Sequence, residues 1–73
     1  MRNLNLTTRE MEVAKLVAMG NYLKEVASEL KISKHTVDKH LERIFHKLNI
    51  RDSRSLIHYA LWKGWIKNKY ESN

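Results

Sequence analysis

Apolar residues recur at helical spacing in four stretches of this chain, with polar residues between them. The most informative stretch runs from Lys24 to Leu48, KEVASELKISKHTVDKHLERIFHKL. Val26, Ala27 and Leu30 sit one turn apart and predict a short helix with a narrow apolar stripe. Lys31 and Ile32 carry the chain to Ser33, a residue type whose hydroxyl accepts an orphan backbone N–H at a helix N-cap. Ile32 before that cap and Val37 four positions after it fit a hydrophobic staple, which fixes the direction in which the chain turns into the helix. Beyond it, Val37, Leu41, Ile44, Phe45 and Leu48 fall within about a third of the circumference at roughly 100° per residue. The outward positions are His35, Asp38, Lys39, Glu42, Arg43 and His46, all polar. A short helix, a tight turn and a longer helix with a free outer face make a helix-turn-helix, whose second helix is expected to lie against DNA.

The flanking stretches predict one helix on each side. Thr7 as N-cap puts Glu10 at the third helical position, the spacing of a capping box, with Leu6 and Met11 at the staple positions. The first helix then runs to about Met19, with Val13, Leu16 and Val17 inward, Glu12 and Lys15 outward, and Gly20 placed to end it in a left-handed conformation. Asn21 is the expected cap of the second helix, which is too short to be stable without packing. Asn49 suits a left-handed residue after the third helix, with Ile50 folding back onto Phe45. Asp52 or Ser53 caps the last helix. That helix carries Leu56, Ile57, Ala60 and Leu61 on one side and Ser55, His58, Tyr59 and Trp62 on the other. Gly64 stops it, and Trp65 and Ile66 are available to pack back. The ends, Met1 to Asn5 and Lys67 to Asn73, carry no periodicity and are expected to be loose. The expectation is an all-α, four-helix domain with a single core, one domain over residues 1–73 with its ordered part at about 6–66.

Composition narrows the function. Seventy-three residues make a small core. With no cysteine there is no disulfide and no thiolate metal site, and no apolar run approaches the roughly 18 residues a membrane span needs. The chain therefore reads as soluble and cytoplasmic, with no membrane partner. Formal net charge is +6, consistent with a nucleic-acid partner through counterion release and equally with a solvated surface.

Leu6-Thr7-Thr8-Arg9-Glu10-Met11-Glu12-Val13, Gly20, Lys24-Glu25-Val26-Ala27, Leu30, Ile32-Ser33, Thr36-Val37, His40, Ile44, Lys47-Leu48 and Gly64 together resemble the LuxR/FixJ-type, GerE-like DNA-binding domain of bacterial regulators. The resemblance spans about positions 6 to 66 without gaps. It implies a four-helix domain that dimerises through its last helix and binds short inverted repeats in promoters, with double-stranded DNA and RNA polymerase as partners. Four positions depart from the pattern. Tyr22 stands where a small hydroxylic residue is usual, Asn49 where glycine is usual, and Ser53 where arginine is common. Asp38 stands where a basic residue is frequent, so sequence preference does not carry over from other members.

On the wheel, His35, Asp38, Lys39 and Glu42 point furthest from the core and are the candidate base readers. Lys39 can donate to guanine O6 or N7, and Asp38 or Glu42 can accept from cytosine N4. Their carboxylates also have candidate internal partners, Lys39 or His46 for Glu42 and Lys34 for Asp38. Thr36, His40, Arg43 and Lys47 lie on one flank of that face, suited to gripping a phosphate strand, with Lys34 and Lys24 as further phosphate candidates. The alternative for His40 is a half-buried ring packed beside the core. Arg51 and Arg54 reach toward the backbone from the turn or offset Asp52. Tyr59 and Trp62 share a side of the last helix, and with Ser55 and His58 they form the candidate dimer interface. The alternative for Trp62 is that it covers a gap in the core.

Other classes fit less well. A helical protein-interaction module would use the aromatic side of the last helix, with the basic surface only aiding solubility. An enzyme lacks a Gly-rich phosphate loop, a nucleophile setting and enough chain for a deep pocket. No histidine pair has a convincing metal-ligand arrangement, beyond Glu42 and His46 holding an adventitious ion, so no cofactor or metal is expected. Met1 so close to the first helix suits a free-standing regulator, and the output domain of a larger one would look the same.

Overall fold

A computed structural model of the chain describes residues 6–67. Four helices follow one another, α1 (Thr8–Ala18), α2 (Leu23–Leu30), α3 (Lys34–Leu48) and α4 (Ser53–Lys63), and there is no strand among the described residues. α1 packs against each of the other three helices, and α2 packs on α3. The buried core is Val13, Ala14 and Val17 of α1, Val26 and Ala27 of α2, Val37, Leu41 and Ile44 of α3, and Leu56 of α4; Ala14 is an addition to the stripes read from the sequence, and Leu16, Leu30, Phe45 and Leu48 of those stripes are half-buried against it. Five of them are fully buried: Val13, Val26, Val37, Ile44 and Leu56.

Short helices in a small domain need their ends closed, because each leaves unpaired backbone groups. Thr7 caps α1 in a complete capping box: its Oγ1 accepts from Glu10 N at 3.1 Å and its N–H donates to Glu10 Oε1 at 2.9 Å. Ser33 Oγ accepts from Thr36 N at 3.0 Å at the start of α3. Asp52, not Ser53, caps α4 by accepting from Ser55 N at 2.9 Å. That backbone bond holds the Asp52 carboxyl below its ordinary range.

The start of α2 corrects the expectation for Asn21. The N-cap residue is Tyr22, whose phenol oxygen lies too far out on its ring to cap and makes no cap hydrogen bond; the return bond is made, from Tyr22 N to Glu25 Oε1 at 2.7 Å. Asn21 instead closes the helix before it, its Nδ2 donating to Leu16 O at 2.9 Å. α1 correspondingly ends at Ala18, with Met19 as its C-cap.

All four helices finish the same way. A left-handed residue (Gly20, Lys31, Asn49 or Gly64) is followed by a backbone N–H that bonds a carbonyl five residues back. These closing bonds run from Asn21 to Leu16, Ile32 to Ala27, Ile50 to Phe45 and Trp65 to Ala60, at 2.8–3.2 Å. In three of the four the donor is apolar and packs on the core: Ile32, Ile50 and Trp65. Lys31 is the surprise among the left-handed residues, since a lysine has no local means of favouring φ of 60°.

Candidate nucleic-acid interface

α3 buries Val37, Leu41 and Ile44 against α1 and α2 and leaves its far side open. Lys34, His35, Asp38, Lys39, Glu42, Arg43 and His46 are all exposed, and no part of the described chain covers them. They form one convex ridge along the helix, with Lys24 exposed at the start of α2. Among the described residues neither Asp38 nor Glu42 is in an ion pair, so the internal pairings with Lys34, Lys39 or His46 are not made. The pairs present are Arg9–Glu12 and Lys47–Glu10.

The flank behaves differently. Thr36 is half-buried, and its hydroxyl lies 2.9 Å from Ser33 Oγ, so it serves the helix cap as well as facing outward. His40 is also half-buried, and its Nδ1 is enclosed with no hydrogen-bond partner among the described residues.

Lys47 has a partner inside the molecule. Its Nζ donates to Glu10 Oε1 at 2.7 Å, tying the end of α3 to the start of α1, while 33% of the side chain stays exposed. Glu10 is 3% exposed, the one charged residue that is buried among the described residues. Burial pushes its carboxyl up, but the Lys47 hydrogen bond, the Thr7 backbone N–H and the Lys47 charge outweigh burial and hold it below the ordinary 4.5. The sequence reading assigned Glu10 to the cap alone. Its position at i with Val13, Ala14 and Val17 at i+3, i+4 and i+7 places it on the inward stripe, and that signal was available.

On α4, Ser55 and Tyr59 are half-buried while His58 and Trp62 are exposed. Trp62 is 77% exposed, so it does not cover a gap in the core; Trp65 is the tryptophan packed against the core. Tyr59 joins them, its ring edge-on to Trp62 at 5.8 Å and tilted against Trp65 at 5.3 Å. Lys63 Nζ lies 5.3 Å from the centre of the Trp62 ring. The result is an aromatic ridge on a face separate from the α3 ridge in sequence and helix.

A concavity at the α3–α4 turn, lined by Asn49, Ile50, Arg51, Asp52 and Ser55, is open, and its one carboxylate is engaged in capping. Among the described residues no group of three or more His, Cys, Asp and Glu could hold a metal ion, and no helix is long and apolar enough to cross a membrane.

The sequence profile of "Bacterial regulatory proteins, luxR family" matches residues 4–60. The transcriptional regulatory protein DesR of Bacillus subtilis is 42% identical over 62 residues, covering 85% of this chain and 31% of DesR. The oxygen regulatory protein NreC of Staphylococcus carnosus is 41% identical over 58 residues, covering 80% of this chain and 27% of NreC. The response regulator Rre1 of Synechocystis is 38% identical over 61 residues, covering 84% of this chain and 26% of Rre1. The chain thus spans about a quarter to a third of the length of these relatives.

Proposed function

The chain belongs to the luxR family of bacterial regulatory proteins, and from that footing we propose that it binds double-stranded DNA sequence-specifically with α3 in the major groove. The observation that carries this reading is the open ridge of His35, Asp38, Lys39, Glu42 and Arg43, held rigid because the opposite side of α3 is core. A helix presented this way fits a groove about 12 Å wide. His35, Asp38, Lys39 and Glu42 face the base edges; Lys24, Lys34, Thr36, His40 and Arg43 hold the phosphates on either side. Lys47 acts indirectly, fixing the tilt of α3 against α1 through Glu10.

The domain acts as a homodimer on inverted repeats, with Ser55, His58, Tyr59 and Trp62 meeting their copies across a two-fold axis. An exposed tryptophan packed edge-on to a half-buried tyrosine supports this, because such a face loses unfavourable water contact on pairing. The same face supports the second reading, a module that docks another protein. As a regulator at promoters the protein works in the cytoplasm beside RNA polymerase, with residues 1–73 as one DNA-binding domain. It uses no catalytic step and no cofactor.

The test is affinity for promoter fragments and for random duplexes across a salt series. A steep fall in log affinity with log salt, with a preference for particular fragments retained, is the expected result. A salt-insensitive association, or none, overturns the reading.

A further inference from the structure

The outer ridge of α3 carries an unusual mixture for a surface meant to face a polyanion. Among its outward side chains, Asp38 and Glu42 place two carboxylates beside Lys34, Lys39 and Arg43. Neither carboxylate is in an ion pair among the described residues, and Lys47 is committed to Glu10. Among the described residues nothing takes up the acceptor capacity of either, and their charges oppose non-specific attraction to phosphate. They lie four positions apart, about 6 Å along the helix axis, near the span of two base-pair steps of about 3.4 Å.

The groove chemistry limits what can satisfy them. Guanine presents O6 and N7 and thymine O4, all acceptors that repel a carboxylate. Adenine offers its N6 amine but places the N7 acceptor beside it. Cytosine alone offers an amine with no neighbouring acceptor on its own edge. The guanine paired with that cytosine presents O6 and N7 in the same groove, and Lys39, next to Asp38 in sequence, supplies the donor those atoms need.

We propose that Asp38 and Glu42 are specificity-determining acceptors that admit only half-sites presenting cytosine amines within about two base pairs of each other, with Lys39 on a guanine alongside, and reject other sequences by unpaired charge. This rests on the reading of α3 as the groove helix. The carboxylates select chiefly by exclusion, so their removal has opposite effects on cognate and non-cognate DNA.

The test starts by selecting duplexes from a random library with the full 73-residue chain. Affinities of the chain, Asp38→Ala, Glu42→Ala and Asp38→Asn are then measured on the selected site and on random duplex. Both positions are exposed, so unchanged thermal unfolding serves as the folding control. Each alanine variant is expected to bind the selected site roughly 5- to 100-fold more weakly and random duplex about 2- to 5-fold more tightly at low salt. Asp38→Asn is expected to move the preference at one position from cytosine to adenine, since an amide pairs with N6 and N7 together. Tighter binding by the alanine variants to both duplexes equally would overturn the proposal while leaving α3 as the DNA-binding helix. Failure to select any sequence overturns the parent reading instead.

Discussion

Replacing Lys47 with methionine tests how α3 is held. The change keeps an unbranched apolar stem and removes the donor, leaving Glu10 ionised, 3% exposed and its carboxylate bonded only by Thr7 N. Breaking a deeply buried ion pair costs about 3–5 kcal/mol. Here the Lys47 side chain keeps 33% exposure, so water already screens part of the interaction. We expect a loss of about 2 kcal/mol at pH 7, and a fall in Tm of about 8–16 °C for a domain of this size. Glu10→Gln keeps an acceptor for Thr7 N–H and frees Lys47 to turn to solvent, so it is expected to cost only about 0.5–1 kcal/mol. The double variant should cost less than the sum of the two, because the stranded carboxylate is then absent.

The pH dependence carries the sign of the mechanism. In the native chain Glu10 is held below 4.5, so the stability it contributes is present above that value and is lost as pH falls through the folded-state value. With Lys47→Met, burial acts with less opposition and the folded-state value moves up. The penalty is then full at neutral pH and fades as Glu10 protonates below it. Urea unfolding followed by circular dichroism at pH 7 and at pH 4 measures both. A loss that is the same at the two pH values, or no loss at pH 7, would refute the argument that an orphaned carboxylate is the cause.

Other expected outcomes follow from the same geometry. Lys39→Ala should cost roughly 1–3 kcal/mol on a cognate site and relax preference at one base position. Arg43→Ala should weaken all duplexes about equally; equal losses for the Lys39 change on specific and random DNA would remove it from the base readers. Trp62→Ala should leave thermal unfolding of the monomer nearly unchanged, since the side chain is 77% exposed, but shift sedimentation toward monomer; an unchanged dimer fraction would count against the α4 interface. Lys31→Gly should stabilise the chain by about 0.5–1 kcal/mol by relieving φ of 60°, provided the lost lysine charge is neutral for folding. Thermal unfolding checks it, and a lower Tm would show that the lysine does more at the turn than occupy it.

How far the sequence carried the fold depended on the range of each interaction. Apolar stripes at 13/17, 26/27/30 and 37/41/44 were legible because helical spacing is local, and they became the core. Thr7 with Glu10 and Ser33 with Thr36 were legible because a cap and its target lie three residues apart. The Lys47–Glu10 pair joins residues 37 apart, and no local rule connects them, although the inward position of Glu10 asked for a partner. Asn21 went wrong for a different reason: its amide could serve either neighbouring helix, and closing α1 won over capping α2. Lys31 was invisible because its left-handed conformation is imposed by the packing of Ile32 and by the bond from Ile32 to Ala27. At the interface, the exposure of His35, Lys39 and Arg43 was legible from the same wheel that placed the core, whereas the lack of ion pairs at Asp38 and Glu42 depended on side-chain placement that spacing cannot supply.

The most direct test of the central claim is a map of the DNA footprint on the protein. The isotope-labelled chain is titrated with a duplex carrying its selected site, and amide and side-chain signals are followed by NMR. The account predicts that the largest changes fall on His35, Asp38, Lys39 and Arg43, with smaller ones at Lys24 and Lys34. Changes concentrated on Tyr59 and Trp62 or on the outer face of α1, with the α3 ridge unmoved, would contradict it.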